Sequence, residues 1–208
     1  MKISKGVKIA LSILVIGMTA TAVVMILKRR KKYGCKNSFL FLGNSQTANS
    51  NGYVEKMKAK CPNAHIKKIS KVGAKSDWIL NEYKKELSSG GKYDVVNILI
   101  GVNDIFARNS IEKAKANIQE ILDLAKANGS KVVFIGSPTS MFYSKTNPTH
   151  LRLAEDLEEW ARKNKGVQHF VDIKPSTERQ DVFAPDLLHL NNKGHEIIFN
   201  LYDKKVLK

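Results

Sequence analysis

A serine, a histidine and an aspartate in this chain have the types and setting that acyl-transfer chemistry requires. Ser45 follows the apolar run "FLFLG" (39–43) by two positions, and Asp186 and His189 stand three apart in "DLLH" (186–189). A serine hydroxyl is a poor nucleophile until a base removes its proton, and His189 is such a base. The imidazole needs one tautomer and one orientation, which a carboxylate three residues earlier can supply. The oxyanion that forms at an attacked carbonyl needs preorganised donors. The N–H of Ser45, the N–H of Gly73 in "KVGAKS" and the side-chain amide of Asn103 in "GVND" are of the right kind, and one such donor typically lowers a barrier by ~3–4 kcal/mol. Taken singly, each short motif reads equally well as turn chemistry, because Gly, Asn and Ser all favour turns. Only their joint presence points to catalysis.

These residues can meet only if the fold brings them together. Five apolar, β-rich runs punctuate the chain: 38–43, 64–70, 93–101, 131–137 and 166–173. Three are nearly continuous in apolar residues, as parallel strands covered on both faces should be. "AHIKKIS" (64–70) is mixed and is expected nearer an edge. Helical patterns lie between them, at 51–61 (weak), 76–87, 110–129, 149–166 and 191–207. The clearest has Ser110 as cap, an apolar stripe through Ile111, Ala114, Ile118, Ile121, Leu122 and Ala125, and Gly129 at its end. Ser76 is a further expected cap, Leu151, Leu153, Leu157 and Trp160 are expected to face inward, and Trp78 joins them as core. Strand–helix alternation of this kind predicts an α/β domain with one five-stranded parallel sheet and helices on both faces. In such a sheet ligands bind beyond the carboxyl ends of the strands, which is where Ser45, Gly73 and Asn103 fall.

In order along the chain, "FLGNSQT", the glycine of "KVGAKS", "GVND" and "DLLHLNNKGH" resemble the four blocks of the SGNH (GDSL-type) hydrolases, over nearly all of residues 38–208. One departure stands out: this chain has Gly-Asn-Ser at 43–45 where Gly-Asp-Ser is commoner. The resemblance implies a three-layer α/β/α, flavodoxin-like fold and ester hydrolysis with neither metal nor other cofactor. It also implies Ser45 as nucleophile, His189 as base, Asp186 as its orienter, and Ser45, Gly73 and Asn103 as the oxyanion hole. Asp104 is expected to fix its loop instead of reacting. His195 is read as surface or packing, and His65, His150 and His169 as structural. The segment "PTSMFYSKTNPTH" (138–150) lies on the functional edge. Its Met141, Phe142 and Tyr143 either line an acyl or sugar pocket or pack the loop down.

Ahead of this domain (38–208) come an apolar segment with a basic flank (1–32) and a short linker (33–37). Residues 9–27 carry no charge and would span ~28 Å as a helix, close to the thickness of a bilayer core. "KRRKK" (28–32) follows as a headgroup anchor. The expectation is a single-pass membrane protein with an uncleaved anchor; a cleaved signal peptide ending near Ala22 is the rival. The excess of Lys and Arg after the segment places the domain in the cytoplasm by the positive-inside rule. The family resemblance places it outside, so the side stays open.

The chain of 208 residues carries a net charge of +16, but nine of its 35 Lys and Arg residues lie in the first 36 positions, which hold no acid. The high pI therefore overstates the basicity of the domain. No zinc-finger spacing, aromatic RNA-binding block or Arg stripe accompanies the charge, so nucleic acid is not expected as a partner. Cys35 and Cys61 match no metal or redox spacing, and the expectation is two free thiols. The sequence does not report the oligomeric state. The substrate expected is an ester: an O-acetylated glycan, a lipid or a thioester. The alternative is a catalytically silent module of the same fold that holds an anionic glycan or lipid at the membrane. A flavodoxin-like nucleotide domain is disfavoured, because no second glycine or basic residue follows Gly43 before Gly52 to cradle a phosphate.

Overall fold

The computed structural model describes residues 33–107, 110–138 and 147–207. The 9–27 segment and its basic flank, as well as Met141, Phe142 and Tyr143, lie outside the described residues.

Strands β1 (Phe39–Gly43), β2 (Ile66–Ser70), β3 (Val95–Leu99), β4 (Lys131–Ile135) and β5 (Val167–Val171) form one parallel sheet in the order β2-β1-β3-β4-β5. All five predicted strands are present, each trimmed by one to four residues. Helices are α1 (Ser45–Ala48), α2 (Tyr53–Lys60), α3 (Ser76–Ser88), α4 (Val102–Phe106), α5 (Ile111–Ala127), α6 (Pro148–Lys163) and α7 (Asn192–Tyr202), the last continued by a π-helical turn, Asp203–Leu207.

Burial on both faces explains the unbroken apolar runs. In β1, Phe39 and Phe41 join the core beneath α2 and α7, with Tyr53, Met57, Ile198 and Tyr202. The intervening Leu40 and Leu42 join the opposite core beneath α3, α5 and α6, with Ile79, Tyr83, Ile118, Ile121 and Leu157. Alternate side chains of a strand point to opposite faces, so a strand between two helical layers must be apolar throughout. β3 breaks this rule once. Asn97 is buried, and its amide donates to the Leu40 carbonyl (3.0 Å) while its oxygen accepts from the Tyr202 hydroxyl (2.8 Å). Both halves of the amide are thereby satisfied.

β2 is the edge strand its mixed composition predicts. Lys67 reaches Glu86 on one face and Lys68 reaches Glu55 on the other, each at 2.5 Å. Charges on an edge strand also discourage a second sheet from pairing there. At the end of α5, Gly129 has φ +80°; its N–H donates to the Lys126 carbonyl (3.0 Å) and the Ser130 N–H to the Ala125 carbonyl (2.8 Å). This is the closing turn the glycine predicts.

Three expectations change. Ser76 is the first helical residue of α3 and does not cap it; its hydroxyl donates to Asp104 (2.7 Å). In α6 only Leu157 and Ala161 are fully buried, with Leu151, Leu153 and Trp160 at the margin of the core; Trp78 of α3 is likewise half-buried. The third change concerns the cysteines. Cys35 and Cys61 are joined as a disulfide, with a Cα–Cα distance of 5.0 Å, and neither is a free thiol. A turn at 34–37, closed by the Asn37 N–H on the Gly34 carbonyl (3.0 Å), presents Cys35. The last turn of α2 delivers Cys61 to the same edge of the sheet. Only the fold makes these positions neighbours, so their spacing in sequence carries no sign of it.

Candidate active site

The strand order reverses direction at β1: the chain moves outward to β2 and then returns to the other side of β1 as β3. Beyond the carboxyl ends of two strands that diverge in this way a crevice opens, the usual ligand site of such sheets. Ser45 follows β1 and Asn103 follows β3, one on each side of it.

Ser45 opens the four-residue helix α1. Asn44 caps that helix, its side-chain oxygen accepting from the Gln46 N–H (3.1 Å), while its own N–H donates to the Leu99 carbonyl (3.3 Å). The asparagine at this position therefore fills the acceptor role that an aspartate would fill. Gly43 is required by close approach. A Cβ there would lie 1.9 Å from Oγ1 of Thr47, and Thr47 is itself held against the Tyr53 hydroxyl at 2.9 Å.

His189 arrives from the far end of the chain. Its Nε2 lies 3.1 Å from Ser45 Oγ, and its Nδ1 lies 2.7 Å from Asp186 Oδ2. The other Asp186 oxygen accepts from the backbone N–H groups of Leu188 and His189, both at 2.9 Å. A carboxylate can only accept, so Nδ1 carries the ring proton and Nε2 is left to accept from the serine. Burial pushes the Asp186 carboxyl up, but its hydrogen bonds from the His189 ring and from the two backbone N–H groups outweigh this and hold it at about 2. It is an anion at any ordinary pH. The connecting turn places Leu187 at φ +54°, the one non-glycine residue with positive φ among those described. Such strain is seen where surrounding structure enforces it. Here it lets Asp186 bond both its neighbours' N–H groups and the ring.

Gly73 follows β2 in a turn closed by the Ala74 N–H on the Lys71 carbonyl (3.1 Å). It has φ +71°, and no atom crowds the place of its Cβ. Backbone conformation, not lack of space, selects glycine here. The Asn103 amide donates to the Ala74 carbonyl at 2.9 Å, which ties the loops after β2 and β3 together and leaves a second N–H of that amide. Ser45, Gly73, Asn103 and His189 line one cleft of about 270 Å³, whose apolar walls include Val72, Val102, Phe106, Pro138 and Leu188. Four of the five residues singled out from the sequence thus line this cleft, and the fifth, Asp186, stands behind His189. Asp104 does not face the cleft as a reactant; it is buried and accepts from the N–H and hydroxyl of Ser76 (2.9 and 2.7 Å).

Two contributors escaped the sequence reading. Gln46 is buried beside the serine; its amide donates to the Leu188 carbonyl and accepts from the Leu190 N–H, both at 3.3 Å. It joins the serine's helix to the histidine's loop. Its place directly after Ser45 was the only available signal. The other is Glu158 of α6, beside a small side pocket that shares Val102, Phe106, Ser137 and Pro138 with the main cleft. It accepts from the Ser137 N–H at 2.6 Å, and burial raises its carboxyl to about 7.

The remaining histidines pack. His195 is fully buried and stacked on Tyr53, ring centroids 6.3 Å apart, and burial lowers its imidazole to about 4. His169 lies edge-on to Tyr33, His65 stacks on Tyr93, and His150 packs against Phe106. Among the described residues no group of three His, Cys, Asp or Glu side chains is arranged to hold a metal ion.

Comparison with known proteins agrees with this geometry. Residues 37–197 match the model of the GDSL-like lipase/acylhydrolase family. No match was found among curated proteins. Among solved structures, the chain resembles LAE5, an α/β hydrolase from the metagenome of Lake Arreo (TM-score 0.68, 16% identity, covering 83% of this chain and 95% of that one). It also resembles a catalytic mutant of Axe2, an acetylxylan esterase from Geobacillus stearothermophilus (TM-score 0.63, 17% identity, 84% and 95% covered). A third is a putative acylhydrolase from Bacteroides fragilis (TM-score 0.65, 20% identity, 85% and 89% covered). At such identities these structures speak for the fold alone. The family match covers most of the chain and includes every residue of the cleft, so the chain belongs to the GDSL-like lipase/acylhydrolase family and is a serine ester hydrolase.

Proposed function

We propose that the chain is a membrane-tethered esterase that removes short acyl groups, O-acetyl groups foremost, from a glycan outside the cytoplasm. The 3.1 Å contact between His189 Nε2 and Ser45 Oγ carries the catalytic half of this reading. The serine proton passes to Nε2 as Oγ bonds to the ester carbonyl carbon, and the carbonyl electron pair moves onto oxygen. The N–H groups of Ser45 and Gly73 and the free N–H of Asn103 receive that oxyanion. Asp186 stabilises the imidazolium formed. When the oxyanion collapses, the ester C–O bond breaks and the alcohol leaves with the proton from Nε2. Water, deprotonated by the same nitrogen, then releases the acid from the acyl-serine.

The cleft of about 270 Å³ with apolar walls has room for an acetyl group, and the acetylxylan esterase Axe2 shares the fold. The disulfide favours the outside. Structural disulfides persist in oxidising compartments and are reduced in most cytosols, so Cys35–Cys61 weighs against the charge count after the apolar segment. On p-nitrophenyl acetate, Ser45→Ala is expected to lose at least ~10³ in kcat. Equal rates for the two proteins would favour the silent binding module. Labelling with a membrane-impermeant fluorophosphonate on intact cells tests the side: signal only after permeabilisation would place the domain in the cytoplasm.

A further inference from the structure

We infer that the edge of the sheet opposite the catalytic rim is an anionic-lipid docking face that turns the cleft away from the bilayer. The inference rests on the membrane reading proposed above, and its consequence is that the ester belongs to a polymer or solute and not to a bilayer lipid.

The charged residues of the domain divide by edge. In a parallel sheet the connecting helices run back against the strands, so the segments entering the strands share one edge and the segments leaving them share the other. The leaving segments hold Lys71, Lys75, Lys174 and Arg179 against Asp172, Glu178, Asp181 and Asp186, with Asp104 buried. Basic and acidic residues are equal in number there, and Lys174 and Arg179 are paired with Glu155 and Asp181. The entering edge differs. Lys36, Lys92, Lys126, Lys131, Lys165 and Lys205 are all exposed there and outnumber the exposed acids Asp94 and Asp123; no carboxylate pairs with any of these six lysines among the described residues. Lysines in the last turn of a helix complement its dipole, which accounts for Lys126. Lys36, Lys92, Lys131 and Lys165 lie outside the helices and have no such role. Lys126, Lys131 and Lys165, three cations against the single carboxylate of Asp123, line a polar groove of about 360 Å³ between the starts of β4 and β5. A concave surface rimmed by unpaired lysines raises the local concentration of anions.

The chain also enters the domain here. The Tyr33 N–H donates to the Val206 carbonyl (2.8 Å), and Cys35 is bonded to Cys61 at the end of α2. Only the five basic residues 28–32 separate Tyr33 from the charge-free stretch 9–27. The chain leading from the proposed tether therefore joins the domain at this edge. Juxtamembrane lysines strengthen binding to anionic lipid about fivefold each. Five-residue strands add ~17 Å between this edge and the rim, beyond the reach of an acyl chain that stays in the bilayer.

The test uses the full chain reconstituted into vesicles of phosphatidylcholine alone or mixed with phosphatidylglycerol. Lysines are acetylated with an impermeant reagent and quantified by mass spectrometry. On anionic vesicles Lys92, Lys126, Lys131 and Lys165 should react at least ~5-fold more slowly than on neutral ones, while Lys71 and Lys75 keep their rates. The protection should vanish at about 1 M salt, where the screening length is about 3 Å. The variant Lys126→Glu/Lys131→Glu/Lys165→Glu should lose it too, with hydrolysis of p-nitrophenyl acetate unchanged. Protection of Lys71 and Lys75 instead, equal rates on both vesicles, or protection by soluble polyphosphate but not by vesicles would each overturn the inference. Flotation with neutral vesicles at high salt reads the tether separately. A chain that fails to float there has lost its membrane anchor, and its footprint on anionic vesicles at low salt still decides the face.

Discussion

Replacing Asp186 with Asn isolates the electrostatic part of the mechanism, because the geometry around it is over-determined. One carboxylate oxygen accepts from the N–H groups of Leu188 and His189, both at 2.9 Å. In the variant the amide oxygen must take that place, since an NH₂ group cannot accept. The NH₂ is then left facing His189 Nδ1, where a carboxylate oxygen now stands at 2.7 Å. Nδ1 becomes an acceptor, the ring proton moves to Nε2, and Nε2 can no longer accept from Ser45. Recovering the reactive tautomer costs about 2 kcal/mol, the scale of a charge-assisted hydrogen bond. Losing the anion opposite the imidazolium adds a second cost of similar size. The Asp186 side chain is half exposed (50%), so an effective dielectric near 40 at about 4 Å gives ~2 kcal/mol. Together ~4 kcal/mol corresponds to a ~10³-fold fall in kcat with KM little changed. The assay is steady-state hydrolysis of p-nitrophenyl acetate, with circular dichroism and thermal unfolding to show that the fold survives. A loss below about tenfold in a folded variant would mean that His189 does not depend on Asp186 for its tautomer, and the reasoning would fail.

Two further perturbations address stability. Burial raises the Glu158 carboxyl to about 7, so the folded state holds a proton that the unfolded state releases near pH 4.3. Stability is then highest below pH 4.3 as far as this group is concerned, falls as pH rises through 7, and is lowest above it. Glu158→Gln keeps an acceptor for the Ser137 N–H and should unfold at pH 8 with about 3 kcal/mol more stability than the parent, the two converging only below about pH 4; identical pH profiles in urea titrations would refute it. The disulfide closes a loop across a sequence separation of 26, worth about 3.5 kcal/mol in chain entropy. Cys35→Ser/Cys61→Ser, or reduction of the parent, should lower the free energy of unfolding by about 2–3 kcal/mol while leaving kcat unchanged, because the bond lies on the edge away from the cleft. A loss of activity in the folded variant would contradict that placement.

Much of this protein is legible in its sequence. Strands covered on both faces must be apolar throughout, so β1, β3 and β4 announced themselves. The period of α5 and its closing Gly129 did the same, and Lys67-Lys68 marked β2 as an edge. Ser45, Gly73 and Asn103 were legible because each follows a strand and a parallel sheet gathers strand ends at one rim, whereas Asp186 and His189 were legible from their types and three-residue spacing. What composition could not express was distance between segments remote in sequence. The disulfide depends on α2 ending where residues 34–37 turn. Ser76 gave its hydroxyl to Asp104 because α4 lies beside α3, and no propensity scale contains that contact. The bridge made by Gln46 and the raised carboxyl of Glu158 likewise arise from what surrounds them. Sequence alone determined which groups can react and on which edge they stand, since strand direction and residue type are local properties. Tertiary structure alone decided that His189 touches Ser45, that Asp186 holds its tautomer, and that the two cysteines join, because contact and burial are properties of the packed chain.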